Sequence, residues 1–255
     1  MKNELLHIGP YTLYGYGLMM ALAVIAAYLT AVYRSKRYCE DDENRMFDIV
    51  IVCTVGGFVV AKIFFWLVEL PEIMADPSFI LRTMGDGFVV FGGIVGGILA
   101  GHLYCKIKKL EFRLYFDLLA PSLALGQAIG RIGCLLAGCC YGKPTDSALS
   151  ITFENSMYAP NHVALIPTQI YSSILDFVHF LLLLFISKKK TANGQVAGCY
   201  LILYSIVRSV MEVFRGDTER GHVGILSTSQ FIAIFVFLYG VWLLWDSTKK
   251  QRAKA

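Results

Sequence analysis

With 255 residues of which 56% are hydrophobic and only 16% charged, and a mean hydropathy of +0.58, the chain is too apolar for an ordinary soluble domain, where charged residues make up about a quarter. The composition predicts one polytopic, all-α membrane domain over residues 1–255, with no Pro/Gly/Ser linker and no second soluble domain. A formal net charge of +4 is modest and calls for no nucleic acid.

The opening, MKNELLHIGPYTLYGYG, lacks a basic region leading directly into an apolar core and a small-residue cleavage site, so it reads as retained rather than removed. Seven apolar runs then follow, near 12–33, 47–68, 87–105, 115–140, 168–186, 197–214 and 224–245, each close to the length a helix needs to cross about 30 Å of hydrocarbon. Lysine and arginine concentrate after the first, third, fifth and seventh runs, in 34–45, 106–113, 188–190 and 249–254. The opposite segments hold only Lys2, Arg82, Lys143, Arg215 and Arg220. By the positive-inside rule the N-terminus lies outside and the C-terminus in the cytoplasm.

Tyr11, Tyr14 and Tyr16 gather at the outer end of the first run, where an aromatic belt belongs; Tyr16 could equally point its hydroxyl at a lipid headgroup. The third run carries two lines of small residues, Gly93–Gly97–Gly101 and Gly92–Gly96–Ala100, at helical spacing, and helix packing explains most of them. In the fourth run, Gly126, Gly130, Cys134, Gly138 and Gly142 recur every fourth position as a stripe of small side chains, with Arg131 beside it. A guanidinium centred in a membrane helix costs roughly 2.5–3.5 kcal/mol on insertion scales, so Arg131 is expected to face a bundle interior or a wet cavity.

Cys134, Cys139 and Cys140 have the spacing C-x4-C-C, which matches no standard zinc pattern such as C-x2-C; they read as small apolar thiols in helix packing, with no metal and no cofactor. The seven cysteines are odd in number and lie mostly inside apolar runs, which argues against a disulfide framework. The 141–167 connection is the longest and is expected to be functional rather than a mere link.

On the sixth run Tyr204, Arg208 and Glu212 share a face at i, i+4, i+8, with Arg215 following. One reading is an internal salt bridge. The other joins Arg208 to Arg131 as a fork for a lipid phosphate, because planar guanidinium groups suit bidentate phosphate binding and two arginines outweigh the few nearby acids. Lys62 and Asp176 are further charged residues inside runs. His102, His162 and His179 show no ligand or triad partner in the sequence.

The segment GRIGCLLAGCCYG resembles the GRxGNFxNxExxG signature of the bacterial prolipoprotein diacylglyceryl transferases. The likeness extends along the chain, through IGPYTLYGYGLM, FGGIVGG, PTQIY and YSIVRSVMEVFR. This resemblance implies a bacterial plasma-membrane transferase with seven spans. Such an enzyme moves a diacylglyceryl group from phosphatidylglycerol to the lipobox cysteine thiol of a preprolipoprotein and releases glycerol phosphate. It also implies catalytic roles for Arg131, Arg208 and Glu212, and substrate-binding roles for Tyr16, Tyr204, Arg215, Gly142, Gly92 and Gly93.

Departures from the family pattern fall at Phe91, where a histidine is usual, at Cys134, Ala137 and Cys139 within the signature, and at Ile166 and Ser172 around PTQIY. Phe91 makes its surroundings more apolar and removes a base for the acceptor thiol, which leaves Glu212 or a tyrosine to test in that role. Because Phe91 changes together with Cys134 and Cys139, a refitted pocket is expected rather than scattered decay. The alternatives are a lipid or acyl transferase with another acceptor, and a phospholipid-binding or transport protein that has lost the chemistry.

Overall fold

A computed structural model describes residues 4–8, 11–38, 43–85, 87–217 and 222–252. In chain order these form β1 (Glu4–Ile8), β2 (Tyr11–Tyr14), α1 (Gly15–Tyr38), α2 (Glu43–Val68), α3 (Leu70–Ala75), α4 (Phe79–Arg82), α5 (Val90–Ile107) and α6 (Phe112–Ala137). There follow β3 (Ile151–Thr152), β4 (Ala164–Leu165), α7 (Thr168–Lys189), α8 (Gln195–Val213), β5 (His222–Val223), β6 (Leu226–Ser227) and α9 (Thr228–Arg252). Lys2, Cys39, Asp86, Arg220 and Lys254 lie outside the described residues.

Among the described residues six helices, α1, α2, α6, α7, α8 and α9, are long and apolar enough to cross a membrane, and α5 is a shorter apolar helix. The sequence expected the third of seven spans near 87–105; the helix found there, α5, is shifted along the chain, starting three residues later and ending two later. Gly87 takes a left-handed φ of 72° against the Phe65 ring, and Val89 N–H donates to Ala61 O at 3.2 Å, so the helix starts at Val90 rather than 87. The first helix starts three residues later than expected, at Gly15, and runs on to Tyr38 instead of ending near 33. The aromatic and β-branched start of that run, Tyr11–Tyr14, pairs antiparallel with Glu4–Ile8, which puts Tyr11 and Tyr14 on a hairpin and leaves Tyr16 as the tyrosine on the helix.

The helices fall into two compact units, one holding residues up to Ala31 and from Arg113 onward, the other Val32–Phe112. In the first, α8 packs on α7 and α9. Ala120 and Ala124 of α6, Leu183 of α7, Val196 and Leu201 of α8 and Leu243 of α9 are buried together. Glycines permit the close approach: a Cβ on Gly198 would sit 3.0 Å from the Gly240 carbonyl oxygen. Buried Asp117 of α6 accepts from the backbone N–H groups of Gly194 (2.9 Å) and Ala197 (2.8 Å). It thereby satisfies orphan donors at the N-terminus of α8, where a negative charge is also favoured by the helix dipole.

In the second unit α2 packs along α5 through facing glycines. A Cβ on Gly56 would lie 2.4 Å from Ala100 Cβ, and one on Gly96 would lie 2.4 Å from Gly56 O. Gly92 and Gly93 face Ala61 and its neighbours in the same seam, which gives both a packing role. Lys62 is buried, donates to the carbonyls of Thr83 and Gly87, and sits among the rings of Phe65, Trp66 and Phe88. This charge therefore holds the connection after α4.

Candidate active site

Helix α6 ends three residues earlier than the sequence predicts. Gly138 adopts φ 75°, the left-handed conformation that commonly stops a helix, and Cys139 N–H donates to Cys134 O at 3.1 Å. Cys140 then takes φ 61°, a conformation that costs a non-glycine residue roughly 1–2 kcal/mol. Two left-handed residues so close together fold the chain back on the helix end. Gly138 and Gly142 thus leave the proposed small-residue stripe, and Cys139 and Cys140 are turn residues rather than helix-packing ones.

The start of α7 fixes this turn. Thr168 Oγ1 donates to Cys140 O at 2.7 Å, and buried Gln169 Nε2 donates to Cys139 O at 2.8 Å, so the PTQ segment holds both cysteine carbonyls. The three sulfurs of Cys134, Cys139 and Cys140 come within 4.8 Å of one another, all as reduced thiols. Hydrogen bonds from the Cys134 and Cys139 thiols, reinforced by the Arg215 charge, pull the Cys140 thiol well below its ordinary range. Hydrogen bonding to Cys134 and Cys140, together with burial, pushes the Cys139 thiol up.

Gly142 is buried in a backbone crossing. Its N–H donates to Ile166 O at 3.1 Å, and a Cβ there would lie 2.5 Å from that same oxygen. Gly216 N–H donates to Tyr141 O and Lys143 N–H to Phe214 O, both at 3.0 Å, which ties the end of α8 to the turn. Gly142 therefore serves the architecture through close backbone approach. The 141–167 connection carries a small core of its own, Phe153, Ala159 and Leu165, closed by the β3–β4 pair.

A narrow cleft among α6, α7 and α8 is lined by Arg131, Ser172, Asp176, Tyr204, Val207, Arg208 and Met211. Helical spacing explains the set: 204, 207, 208 and 211 recur on one face of α8, and Ser172 and Asp176 lie one turn apart on α7. Arg131 Nε stands 3.9 Å from Asp176 Oδ2, beyond hydrogen-bond distance, and Asp176 also feels the charge of Arg208. Arg208 Nη2 donates to Ser229 Oγ on α9 at 2.7 Å and lies 2.7 Å from Glu212 Oε2. Since that carboxylate oxygen has no aligned donor among the described residues, the Arg208–Glu212 pair is a close charge contact.

Arg215, just beyond α8, is held by Asp217 through Nε (2.8 Å) and Nη2 (2.6 Å). Although burial works against its charge, Asp217 and the Cys140 thiol keep its guanidinium above the ordinary range. The expectation that arginines outweigh acids here is therefore corrected, because Arg131, Arg208 and Arg215 each face a carboxylate. They differ in commitment. Arg215 is engaged as a fork and Arg208 in part, while the terminal nitrogens of Arg131 make no hydrogen bond among the described residues.

Tyr204 lines the cleft and stacks on Tyr200 at 6.0 Å, and Tyr200 in turn stacks on buried His179 at 5.3 Å. Tyr16 lies within electrostatic reach of Arg131 and the three thiols, its ring 3.4 Å from where a Cβ on Gly133 would be. Arg131, Arg208, Glu212, Tyr16, Tyr204, Arg215 and Gly142 thus all belong to the first unit, whereas Gly92, Gly93 and Phe91 belong to the second. Sequence reasoning noted Asp176 without giving it a role. The signal was its i+4 position from Ser172, which places a carboxylate one turn from the residue that departs from the family pattern.

A family model described as prolipoprotein diacylglyceryl transferase matches residues 3–246. A phosphatidylglycerol–prolipoprotein diacylglyceryl transferase of Clostridium tetani is 43% identical over 252 residues, which cover 98% of this chain and 100% of the relative. A second, numbered 2, from Clostridium perfringens is 43% identical over 255 residues, covering 100% of this chain and 98% of the relative. One from Finegoldia magna is 34% identical over 241 residues, covering 94% and 93%. With the fold of apolar helices and a match running almost end to end, this chain belongs to the prolipoprotein diacylglyceryl transferase family and is a transferase.

Proposed function

We propose that the protein transfers the diacylglyceryl group of phosphatidylglycerol to the lipobox cysteine thiol of a preprolipoprotein, at the outer face of a bacterial plasma membrane. The observation that carries this reading is the cleft in which Arg131, with its terminal nitrogens open, and Arg208 and Tyr204 face Asp176. Arg131 and Arg208 hold the lipid phosphate and stabilise the charge on the phosphate oxygen as it departs. The thiol sulfur forms a bond to the glyceryl carbon while that carbon's bond to the phosphate oxygen breaks. Glycerol phosphate leaves with the electron pair. Asp176, the carboxylate in the cleft held outside hydrogen-bond distance of Arg131, takes the thiol proton.

Glu212 keeps Arg208 oriented, and Arg215 with Gly142 positions the cysteine turn beside it. The diacyl chains occupy a larger, mainly apolar cleft of about 500 Å³ lined by Ile166, Pro167, Tyr171, Leu175 and Phe214, which shares Met211 with the arginine cleft. In this reading α5 completes seven crossings, with the N-terminus outside, and the basic segments set the orientation.

Purified protein given phosphatidylglycerol and a lipobox peptide is expected to yield the thioether-linked peptide, read by mass. Consumption of the lipid with another acceptor would favour the alternative transferase. Lipid binding without turnover in any acceptor mixture would favour a binding or transport protein.

A further inference from the structure

The cysteine turn has a chemistry that the transfer reaction does not use. Its three sulfurs come from a helix end and a turn, half-buried and within 4.8 Å of one another. A Zn–S bond of roughly 2.3 Å places the sulfurs of a tetrahedral site about 3.8 Å apart, so only small side-chain movements separate this cluster from a ligating geometry. The sequence spacing hid this, because C-x4-C-C is not a metal pattern along a helix. It becomes one only when Gly138 and Cys140 turn the chain back.

Three further features make the cluster a built site. Cys140 is held in a left-handed conformation that an ordinary packing residue would avoid, and such strain persists only where the surroundings fix it. The buried side chains of Thr168 and Gln169 fix it here, through the carbonyls of Cys140 and Cys139. Arg215, carrying a full positive charge, lies beside Cys140. Three thiolates around a divalent ion leave one net negative charge, which Arg215 screens in part while it also pairs with Asp217.

We propose that Cys134, Cys139 and Cys140 form a three-thiolate site for a thiophilic d10 cation, zinc above all, which clips the end of α6 to the turn leading into Gly142. Soft thiolates select such ions over magnesium or calcium. Binding releases the thiol protons to solvent and changes no oxidation state. The site goes beyond the transfer reaction and does not depend on that reading.

Cadmium serves as the probe, since its thiolate complexes absorb in the ultraviolet. Full-length protein in detergent, reduced and freed of metal, is titrated with cadmium. The expected result is a charge-transfer band saturating at one ion per chain, with Cys134, Cys139 and Cys140 protected from alkylation and Cys53 and Cys199 unchanged, as mapped by peptide mass. Single Cys→Ser changes at the three positions should weaken cadmium binding at least ten-fold, and Cys199→Ser should not. The alkylation map on the unaltered chain decides the matter even if a variant misfolds. No band, protection at other cysteines, or a disulfide among the three in the reduced protein would overturn the proposal. A protein that transfers lipid but binds no cadmium would overturn it alone and leave the transfer reaction standing.

Discussion

Arg131 on α6 and Asp176 on α7 face each other at 3.9 Å, a separation that couples their charges without a hydrogen bond between them. Tighter pairing would have locked the arginine to the acid, as Asp217 locks Arg215. The gap leaves the arginine its terminal donors and the acid its oxygens, so one can meet a phosphate and the other a proton.

Arg131→Ala and Arg208→Ala are both expected to abolish turnover with the protein still inserted. Truncating one partner of a buried, hydrogen-bonded charge contact typically costs roughly 2–5 kcal/mol. Arg131→Lys should recover part of the loss, because a point charge replaces the fork incompletely. Arg208→Ala should in addition lower thermal stability, since it strands Glu212 and Ser229. Phosphatidylglycerol binding by the purified variants is the check, and unimpaired binding in both would remove the phosphate from this cleft.

Asp176→Asn keeps the shape of the side chain and removes its basicity. We expect a fall in kcat of about 10²–10⁴, the range of a general base, with lipid binding largely kept. A variant that keeps its full rate would exclude Asp176 as the proton acceptor and return the question to Glu212 or a tyrosine.

Phe91 lies on α5 in the second unit, partly exposed. With the base assigned to α7, the unmodified protein should restore lipoprotein modification in a transferase-deficient strain, and Phe91→His should bring no gain. A clear gain in rate from the histidine would show that Phe91 marks a lost base, and complementation that appears only with Phe91→His would mean decay at that position.

Gly142→Ala inserts a Cβ 2.5 Å from Ile166 O, 2.7 Å from Ile166 Cβ and 2.9 Å from Thr168 Cγ2, so the backbone of Ile166 itself would have to shift. Overpacking of this kind costs about 1–3 kcal/mol. Activity should fall through the position of the turn, with KM for lipid and thermal stability both affected. Gly130→Ala makes a good comparison, because its Cβ meets only the Met20 sulfur at an ordinary 3.7 Å.

Asp117→Ala removes the acceptor that buried Gly194 and Ala197 N–H groups use at the start of α8. Losing such a cap costs about 0.5–2 kcal/mol, and the unsatisfied donors add to it. Lower thermal stability with lipid binding retained in the folded fraction is expected, measured by unfolding in detergent.

The sequence by itself determined the membrane-helical class, the order of the apolar runs and the charged residues worth following, because hydropathy and the cost of intramembrane charge are properties of composition. It also determined the family, through motifs spread along the whole chain. Helix ends were less legible. The hairpin at Tyr11–Tyr14, the late start of α5 and the early stop of α6 at Gly138 depend on strand partners and backbone angles that an apolar run does not encode.

Only the tertiary structure decided what the charged side chains do. Arg131, Arg208 and Arg215 look alike in sequence. Asp176 across on α7 leaves the first open and Ser229 on α9 engages the second in part, while the third is fully bound by Asp217, two residues further along the chain. The cysteines show the same division most clearly: spacing described them as separate packing residues, and two left-handed residues brought their sulfurs together. Distance along the chain governs which residues share a helix face, but contacts across helices and the turns between them govern which groups meet, and chemistry follows the meeting.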